Sequence, residues 1–446
     1  MKEAAPPFTA ASFLDSIGIN THWTYPDTPY VHAYEGVLEL LAESGIRHVR
    51  DGFSDRIIEL GKCGIATTVI ADLEGNSNGG KGTVRKIVER IKSINASGRY
   101  IDAVEGPNEP DNFWPRHKKV YKGYGYMHGW RGFIMGAIEF QKDLYRAVKS
   151  DPSTAGLCII GFALCPVYDP LGLSPNPLAE RELAPYADWG NLHSYPGNNP
   201  YNVPFPYAGL ERYYWQSNFP SISLDEYPWA LEVYTPPYSP KPMAATEAGY
   251  PTHREGVSEL VQARYIPRLC CEYFRMGIKR TYLYELVDEF KEENKEDPEA
   301  HYGLVRWDLT PKPAYTALKS LLDLLKDTPE EFVPLILDYE LSVTSSKDYF
   351  RTDFLHHLVL QKRDGGSYFL LWHEISCEDV LVIPHKELFH PDMNVKLVIK
   401  RPIIQAVQYS YDNSWNMIPR ELPAEVNTLH FEVSDKVTVL SITLGN

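Results

Sequence analysis

Two glutamates are set apart by their surroundings. Glu109 closes the run Val104-Glu105-Gly106-Pro107-Asn108-Glu109-Pro110, and Glu247 closes Met243-Ala244-Ala245-Thr246-Glu247 ahead of Ala248-Gly249-Tyr250. Each ends a short stretch of strand character and precedes turn-forming Pro or Gly, so each carboxyl sits where a strand gives way to a loop. Two such groups facing one another can divide the work of breaking a bond. One donates a proton to a leaving oxygen, and the other attacks or activates water. Glycosidic bonds are cut in this way. Carboxylates at the ends of core strands are also costly to bury, which argues for a purpose.

The elements that position them follow a regular order. Up to about residue 330, β-like runs alternate with helical patterns, as in a parallel sheet with helical crossovers. Strands are predicted over 17–23, 46–50, 66–71, 101–105, 157–162, 189–193, 243–247 and 279–284. Val37, Leu38, Leu40 and Leu41 place a helix over 34–44 that ends at Gly45, a left-handed cap. Further helices are predicted over 84–95, 133–149, 257–276 (kinked at Pro267) and 312–326. Eight such units predict a closed (β/α)₈ barrel over 1–330, and no Gly-x-Gly-x-x-Gly turn follows the first strand to favour a dinucleotide-binding sheet. Glu109 then ends strand four and Glu247 strand seven, both on the C-terminal face where such barrels build active sites.

From 331 to 446 the texture changes to short β-rich segments at 349–360, 367–372, 380–383, 394–399, 404–409, 428–433 and 437–442. No helical pattern intervenes, and an antiparallel β-sandwich is predicted. Its role is read as structural, packed against the barrel side, since it holds few tryptophans (Trp372 and Trp415). Neighbouring His356 and His357 point to opposite faces of a strand, which disfavours a shared metal.

Composition narrows the function classes. A net charge of −15 without basic clusters excludes a nucleic-acid partner and gives no reason for binding an anionic membrane surface. No apolar run reaches the length of a membrane-spanning helix. The first residues lack the apolar core of a secretory signal, leaving a cytoplasmic protein, or a secreted or periplasmic one whose leader has been removed. The six cysteines form no C-x-x-C pair and read as reduced core residues. Neither a metal nor a cofactor is expected. Aromatic residues make up 13% of the chain, and eleven of them fall within 201–238, inside a segment (196–240) with nine prolines. That loop follows strand six, so it is expected to wall one side of the barrel mouth and offer rings to a sugar. The acidic run 288–299 lacks EF-hand spacing and reads as a solvated loop.

Asn108-Glu109-Pro110 and Thr246-Glu247-Ala248-Gly249-Tyr250, 138 residues apart (247 − 109), resemble the acid/base and nucleophile motifs of clan A glycoside hydrolases in order and strand number. The layout is most similar to family 39 and its relatives, over residues 13–325. The resemblance implies a retaining hydrolase acting on a β-linked oligosaccharide or polysaccharide through a covalent glycosyl-enzyme, with Glu109 as acid/base and Glu247 as nucleophile. It implies that Arg50 favours the ionised nucleophile, that Tyr195 of the His193-x-Tyr195 pair hydrogen-bonds it, and that Asn108 holds the sugar 2-hydroxyl. Gly303-Leu304-Val305 and Thr310-Pro311-Lys312-Pro313-Ala314-Tyr315 resemble the approach to the clan's last helix. One departure concerns strand eight: where many members carry Trp, this chain has Tyr282-Leu283-Tyr284-Glu285. Tyr284 is placed to replace the stacking ring and Glu285 to contact a sugar hydroxyl. Trp114 and Trp23 are either sugar platforms or packing residues, and Glu105 is read as structural. A non-catalytic carbohydrate-binding barrel and a transglycosylase with the same site are the alternative readings.

Overall fold

The computed structural model describes residues 2–3, 8–74, 78–165, 176–195, 234–292, 295–328, 332–344, 355–379 and 382–445. Eight parallel strands form one sheet: β1 (Ile17–Asn20), β2 (His48–Asp51), β3 (Ala66–Ile70), β4 (Ile101–Glu105), β5 (Cys158–Ile160), β6 (Gly190–His193), β7 (Met243–Ala248) and β8 (Thr281–Leu283). Their spatial order is β6-β7-β8-β1-β2-β3-β4-β5, and a parallel bridge between Ile160 and Trp189 closes the ring. Every predicted barrel strand is present. The strands are buried on both faces, so they read as nearly continuous apolar runs rather than alternating ones.

The helices close the outer layer. In α1 (Tyr34–Glu43), Tyr34, Val37 and Leu41 are buried, and the chain leaves through Gly45 at φ +83°. Besides the short helices Ala10–Asp15 and Pro29–His32, the others described are α2 (Arg56–Lys62), α3 (Lys81–Ile94), α4 (Pro110–Arg116), α5 (Trp130–Ser150), α6 (Glu259–Arg275) and α7 (Pro313–Leu325). Pro267 lies inside α6 without ending it. No described helix is long and apolar enough to cross a membrane.

Besides a two-residue ladder between Glu378–Asp379 and Lys386–Glu387, the C-terminal strands described are β9 (Tyr339–Val343), β10 (Leu355–Gln361), β11 (Ser367–His373), β12 (Met393–Ile399), β13 (Ile403–Tyr411), β14 (Met417–Glu421), β15 (Thr428–Val433) and β16 (Thr438–Leu444). The sequence reading lacks β9 and β14. The segment predicted at 380–383 lies partly outside the described residues, and Val382 and Ile383 are not in a strand. Two antiparallel layers result. One contains β9-β12-β15; the other runs β10-β11-β16-β13-β14. Residues ahead of the barrel join both: Lys2–Glu3 pairs with β9, and Phe8–Thr9 runs parallel to β10. Those first residues, expected to belong to the barrel, complete the sandwich instead.

The larger sheet is buried on both sides. Leu355, Val359, Phe369 and Leu371 face the smaller sheet, while Leu358, Leu360, Leu370 and Trp372 enter the barrel's core. Period-two alternation therefore serves two cores at once. The adjacent histidines part as expected: His356 reaches Glu272 on α6 (2.9 Å), and His357 reaches Tyr339 (3.0 Å). Charged residues of α6 cross the same boundary at helical spacing. Arg264 pairs with Glu387, and Arg268, wholly buried, pairs with Glu374 at 2.9 Å.

Candidate active site

Strand ends around the barrel mouth deliver the predicted residues to one place. β2 supplies Arg50, the β4 turn Asn108 and Glu109, β6 His193 and Tyr195, and β7 Glu247. The β4 turn is tightly built. A Cβ on Gly106 would lie 2.1 Å from Gln141 Oε1 and 3.1 Å from the Phe162 nitrogen, so a side chain there would displace the turn. Glu109 itself takes φ 37° and ψ 62°, a left-handed conformation that costs a non-glycine residue about 1–3 kcal/mol. It caps α4, whose first position is Pro110.

Arg50 organises the centre. Its Nε and Nη2 grip Glu105 at 2.5 and 2.9 Å, and Nη1 donates to Glu247 Oε1 and Asn20 Oδ1, both at 2.8 Å. Nη2 also donates to Asn108 Oδ1 at 2.7 Å. All five N–H groups are used, a geometry no lysine can reproduce. Because the guanidinium claims the Asn108 oxygen, the amide NH₂ is directed away from it. Tyr195 donates to the other oxygen of Glu247 at 2.7 Å. Glu247 thus receives one donor on each oxygen.

His193 lies between the two glutamates, fully buried. Its Nδ1 is 2.8 Å from Glu109 Oε1 and 3.6 Å from Glu247 Oε2, while Nε2 meets Thr246 Oγ1 at 2.9 Å. Carboxylate oxygens of Glu109 and Glu247 come within 4.8 Å of one another. Burial pushes the His193 imidazole down, but Glu247, Glu105 and Glu109 outweigh it and raise it to about 10. Burial likewise raises the Glu105 carboxyl, yet Arg50 and His193 hold it at about 2. For Glu109, the upward pull of burial is outweighed by His193 and Asn112, and its pKa is lowered. A general acid that begins the cycle protonated calls for a pKa above that of a free Glu, and Glu109 shows the opposite sign. That sign has a simple cause: the imidazole of β6 is close enough to keep the pair's proton for itself.

Other expectations divide. Tyr284 is half-buried and belongs to a ring cluster with Tyr195 (6.4 Å) and Tyr302 (5.2 Å) beside Glu247. Glu285 is fully buried and accepts from Tyr30 Oη at 2.9 Å. Trp114 is not a sugar platform. It is 0% exposed, donates to Asp72 Oδ1 at 2.9 Å and packs edge-on against Phe140. Trp23 is buried too, its ring edge-on to Tyr30 and Tyr34. The aromatic loop expected at 201–238 lies mostly outside the described residues. At its end Tyr238 is buried, donating to the Phe162 carbonyl. The acidic run opens differently from a solvated loop, since Asp288 and Glu289 are buried and Asp288 pairs with Lys312 at 2.8 Å.

Sequence reasoning read Glu105 as structural but missed its partners and the rest of the inner support. Glu105 is the second carboxylate on Arg50, and Asn191 and Thr246 hold its Oε1 at 3.1 and 3.0 Å. Asn112 donates to Glu109 Oε2 at 3.2 Å, and Asn20 spans β1 and β7. The available signal was the residue type: Asn20, Glu105 and Asn191 are polar within otherwise apolar barrel strands.

Comparison with known proteins bears on the fold. No family model matches the sequence, and no curated protein is similar to it. Solved structures do superpose. A family 39 glycoside hydrolase from Bacteroides cellulosilyticus WH2 is 13% identical over 98% of this chain and 83% of that chain, with a TM-score of 0.57. A glucosidase from Croceicoccus marinus is 11% identical over 100% and 98%, with a TM-score of 0.59. A β-xylosidase from Caulobacter crescentus CB15 is 14% identical over 98% and 97%, with a TM-score of 0.54. The chain has the fold of these glycoside hydrolases. It is a (β/α)₈ barrel followed by a β-sandwich.

Proposed function

We propose that the chain is a retaining glycoside hydrolase, cleaving a β-glycosidic bond by double displacement, with Glu247 as nucleophile and Glu109 as acid/base. One observation carries this reading. Oxygens of the two carboxyl groups lie within 4.8 Å of each other across the barrel mouth. That approach of the nearest oxygens accords with retaining enzymes, whose carboxyl groups are about 5–5.5 Å apart, rather than with inversion, which needs about 6.5–9.5 Å to admit a water.

The surrounding donors fit the roles. Arg50 and Tyr195 donate to the two oxygens of Glu247 and orient the carboxyl that attacks the anomeric carbon. Glu109 must give a proton to the departing oxygen, and it shares one with His193 across 2.8 Å. Filling the cleft with sugar expels water and weakens the ion pair relative to the neutral pair, which moves that proton toward the carboxyl. Once the glycosyl-enzyme forms, the Glu247 charge is spent. Glu109 then accepts a proton from the incoming water. Asn108, fixed by Arg50, offers its NH₂ to the sugar 2-hydroxyl. The superposed structures named for β-xylosidase and glucosidase activity support a β-linked oligosaccharide or polysaccharide as substrate. The test is the anomer released first, read by ¹H NMR from an aryl β-glycoside. Retained configuration is expected; inverted product would remove Glu247 from its role.

A further inference from the structure

A second carboxylate group opens onto the same face of the barrel. His22 follows β1, Glu285 follows β8, and Glu289 begins the long segment beyond it. His22 Nε2 lies 3.5 Å from Glu285 Oε2 and 3.5 Å from Glu289 Oε1. The side chains of Glu285 and Glu289 are 0% and 6% exposed. Three buried atoms here, His22 Nε2, Glu285 Oε1 and Glu289 Oε1, have no hydrogen-bond partner.

Two other places in the described residues bring a histidine and two glutamates together, and both are neutralised. In the first, Arg50 pairs with Glu247 at 2.8 Å, and His193 bonds Glu109 at 2.8 Å and Thr246 at 2.9 Å. Glu272, His356 and Glu374 have Arg275 and Arg268. Around Glu285 and Glu289, no lysine or arginine among the described residues forms an ion pair. Two buried carboxylates without a cation are strongly unfavourable.

The spacing suits a shared ion better than direct bonding. A separation of 3.5 Å is too long for a good hydrogen bond. It is close to about 3.4 Å, the edge of a tetrahedron whose metal–ligand distances are near 2.1 Å. Tyr30 Oη already braces Glu285 Oε2 at 2.9 Å, and His22 stacks on Tyr25 with ring centroids 4.4 Å apart. Such bracing is what orients metal ligands. We propose that His22, Glu285 and Glu289 bind one divalent cation of the zinc class. Its two charges balance the two carboxylates, and its fourth position stays open to water or a sugar hydroxyl. Only the sugar in that fourth position rests on the hydrolase reading; the cation does not.

The test uses the full chain carrying Cys63→Ser, because Cys63 is exposed and would bind zinc by itself. After EDTA treatment and removal of the chelator, zinc is titrated against a competing indicator, with manganese and calcium in parallel. One equivalent of zinc per chain is expected, with a higher melting temperature. His22→Ala and Glu289→Gln should each weaken binding by at least about 100-fold with an unchanged circular dichroism spectrum. Glu289→Asp, which withdraws the oxygen by one methylene, should weaken it as well and serves if the other variants unfold. Absence of a stoichiometric ion in the parent, or binding that all three variants keep, would overturn the proposal. So would xylose or glucose protection that needs His22 while zinc binds nothing; the cluster would then be a hydroxyl subsite.

Discussion

Replacing Arg50 by Met tests how the centre is held together. Arg50 is 2% exposed and forms ion pairs with both Glu105 and Glu247. The substitution removes the only guanidinium among the described residues that pairs with Glu105, whose carboxyl is wholly buried. Breaking a buried pair by deleting one partner costs about 3–5 kcal/mol. At roughly 2 °C per kcal/mol for a large chain, the melting temperature should fall by about 6–10 °C. The pH dependence has a definite sign. In the parent, Glu105 is held at about 2, below its unfolded value, so its contribution is present above that value and lost as pH falls toward 2. In the variant the unpaired, buried carboxyl shifts upward, which costs most at high pH and is relieved by protonation. The deficit measured by differential scanning fluorimetry should therefore be larger at pH 8 than at pH 5. Adding Glu105→Gln removes the uncompensated charge and should return part of the loss. If Arg50→Met melts within about 1 °C of the parent at both pH values, or if Glu105→Gln only adds further loss, the central ion pair does not act as described.

Other expectations follow from the same geometry. Glu109→Ala should lose activity on natural substrates but keep the first step on aryl glycosides with good leaving groups, and azide should speed turnover and give a β-glycosyl azide; equal loss on both substrates without azide rescue would refute the acid/base role. Tyr195→Phe deletes the 2.7 Å bond to Glu247. A hydrogen bond to a charged group contributes about 1.5–3 kcal/mol, so kcat should drop about 10- to 100-fold with little change in melting temperature. Arg268→Met leaves Glu374 buried without its 2.9 Å partner. It should destabilise the chain by about 3–5 kcal/mol while leaving KM unchanged, as thermal melts and steady-state kinetics will show.

The barrel was legible because its signal is repeated. Eight apolar runs with intervening helical spacing leave little choice of architecture, and Glu109 and Glu247 stand at strand ends that can be counted. Arg50, His193 and Tyr195 came from resemblance rather than from pattern, and the structure brings all three to the glutamates. What could not be read depends on distance through space. Glu105 looked like a residue behind the motif, yet its carboxyl meets a guanidinium 55 positions away. The sign of the Glu109 shift required knowing that a ring on β6 would approach it to 2.8 Å. Trp114 stayed undecided because an aromatic residue just after a barrel strand looks the same in sequence whether its ring turns toward the mouth or, as here, toward Phe140 of α5. β9 and β14 escaped notice for opposite reasons. β9 abuts the change in texture, while β14 is largely exposed and carries Pro419.

The pairing of Phe8–Thr9 with β10 sets an order of events during synthesis. Phe8 leaves the ribosome 352 positions before Leu360, the residue opposite it in the sheet. At about 5–20 residues per second, Phe8–Thr9 waits roughly 20–70 s for its partner. Throughout that interval the complete barrel sequence emerges with the side of α6 that carries Phe274 still uncovered. Phe8 and Phe13 both pack edge-on against Phe274, at 4.9 and 5.3 Å, so the leading segment can dock there first and shield that patch. The same ring contacts that finish the native interface would then act as a temporary cover for the nascent chain.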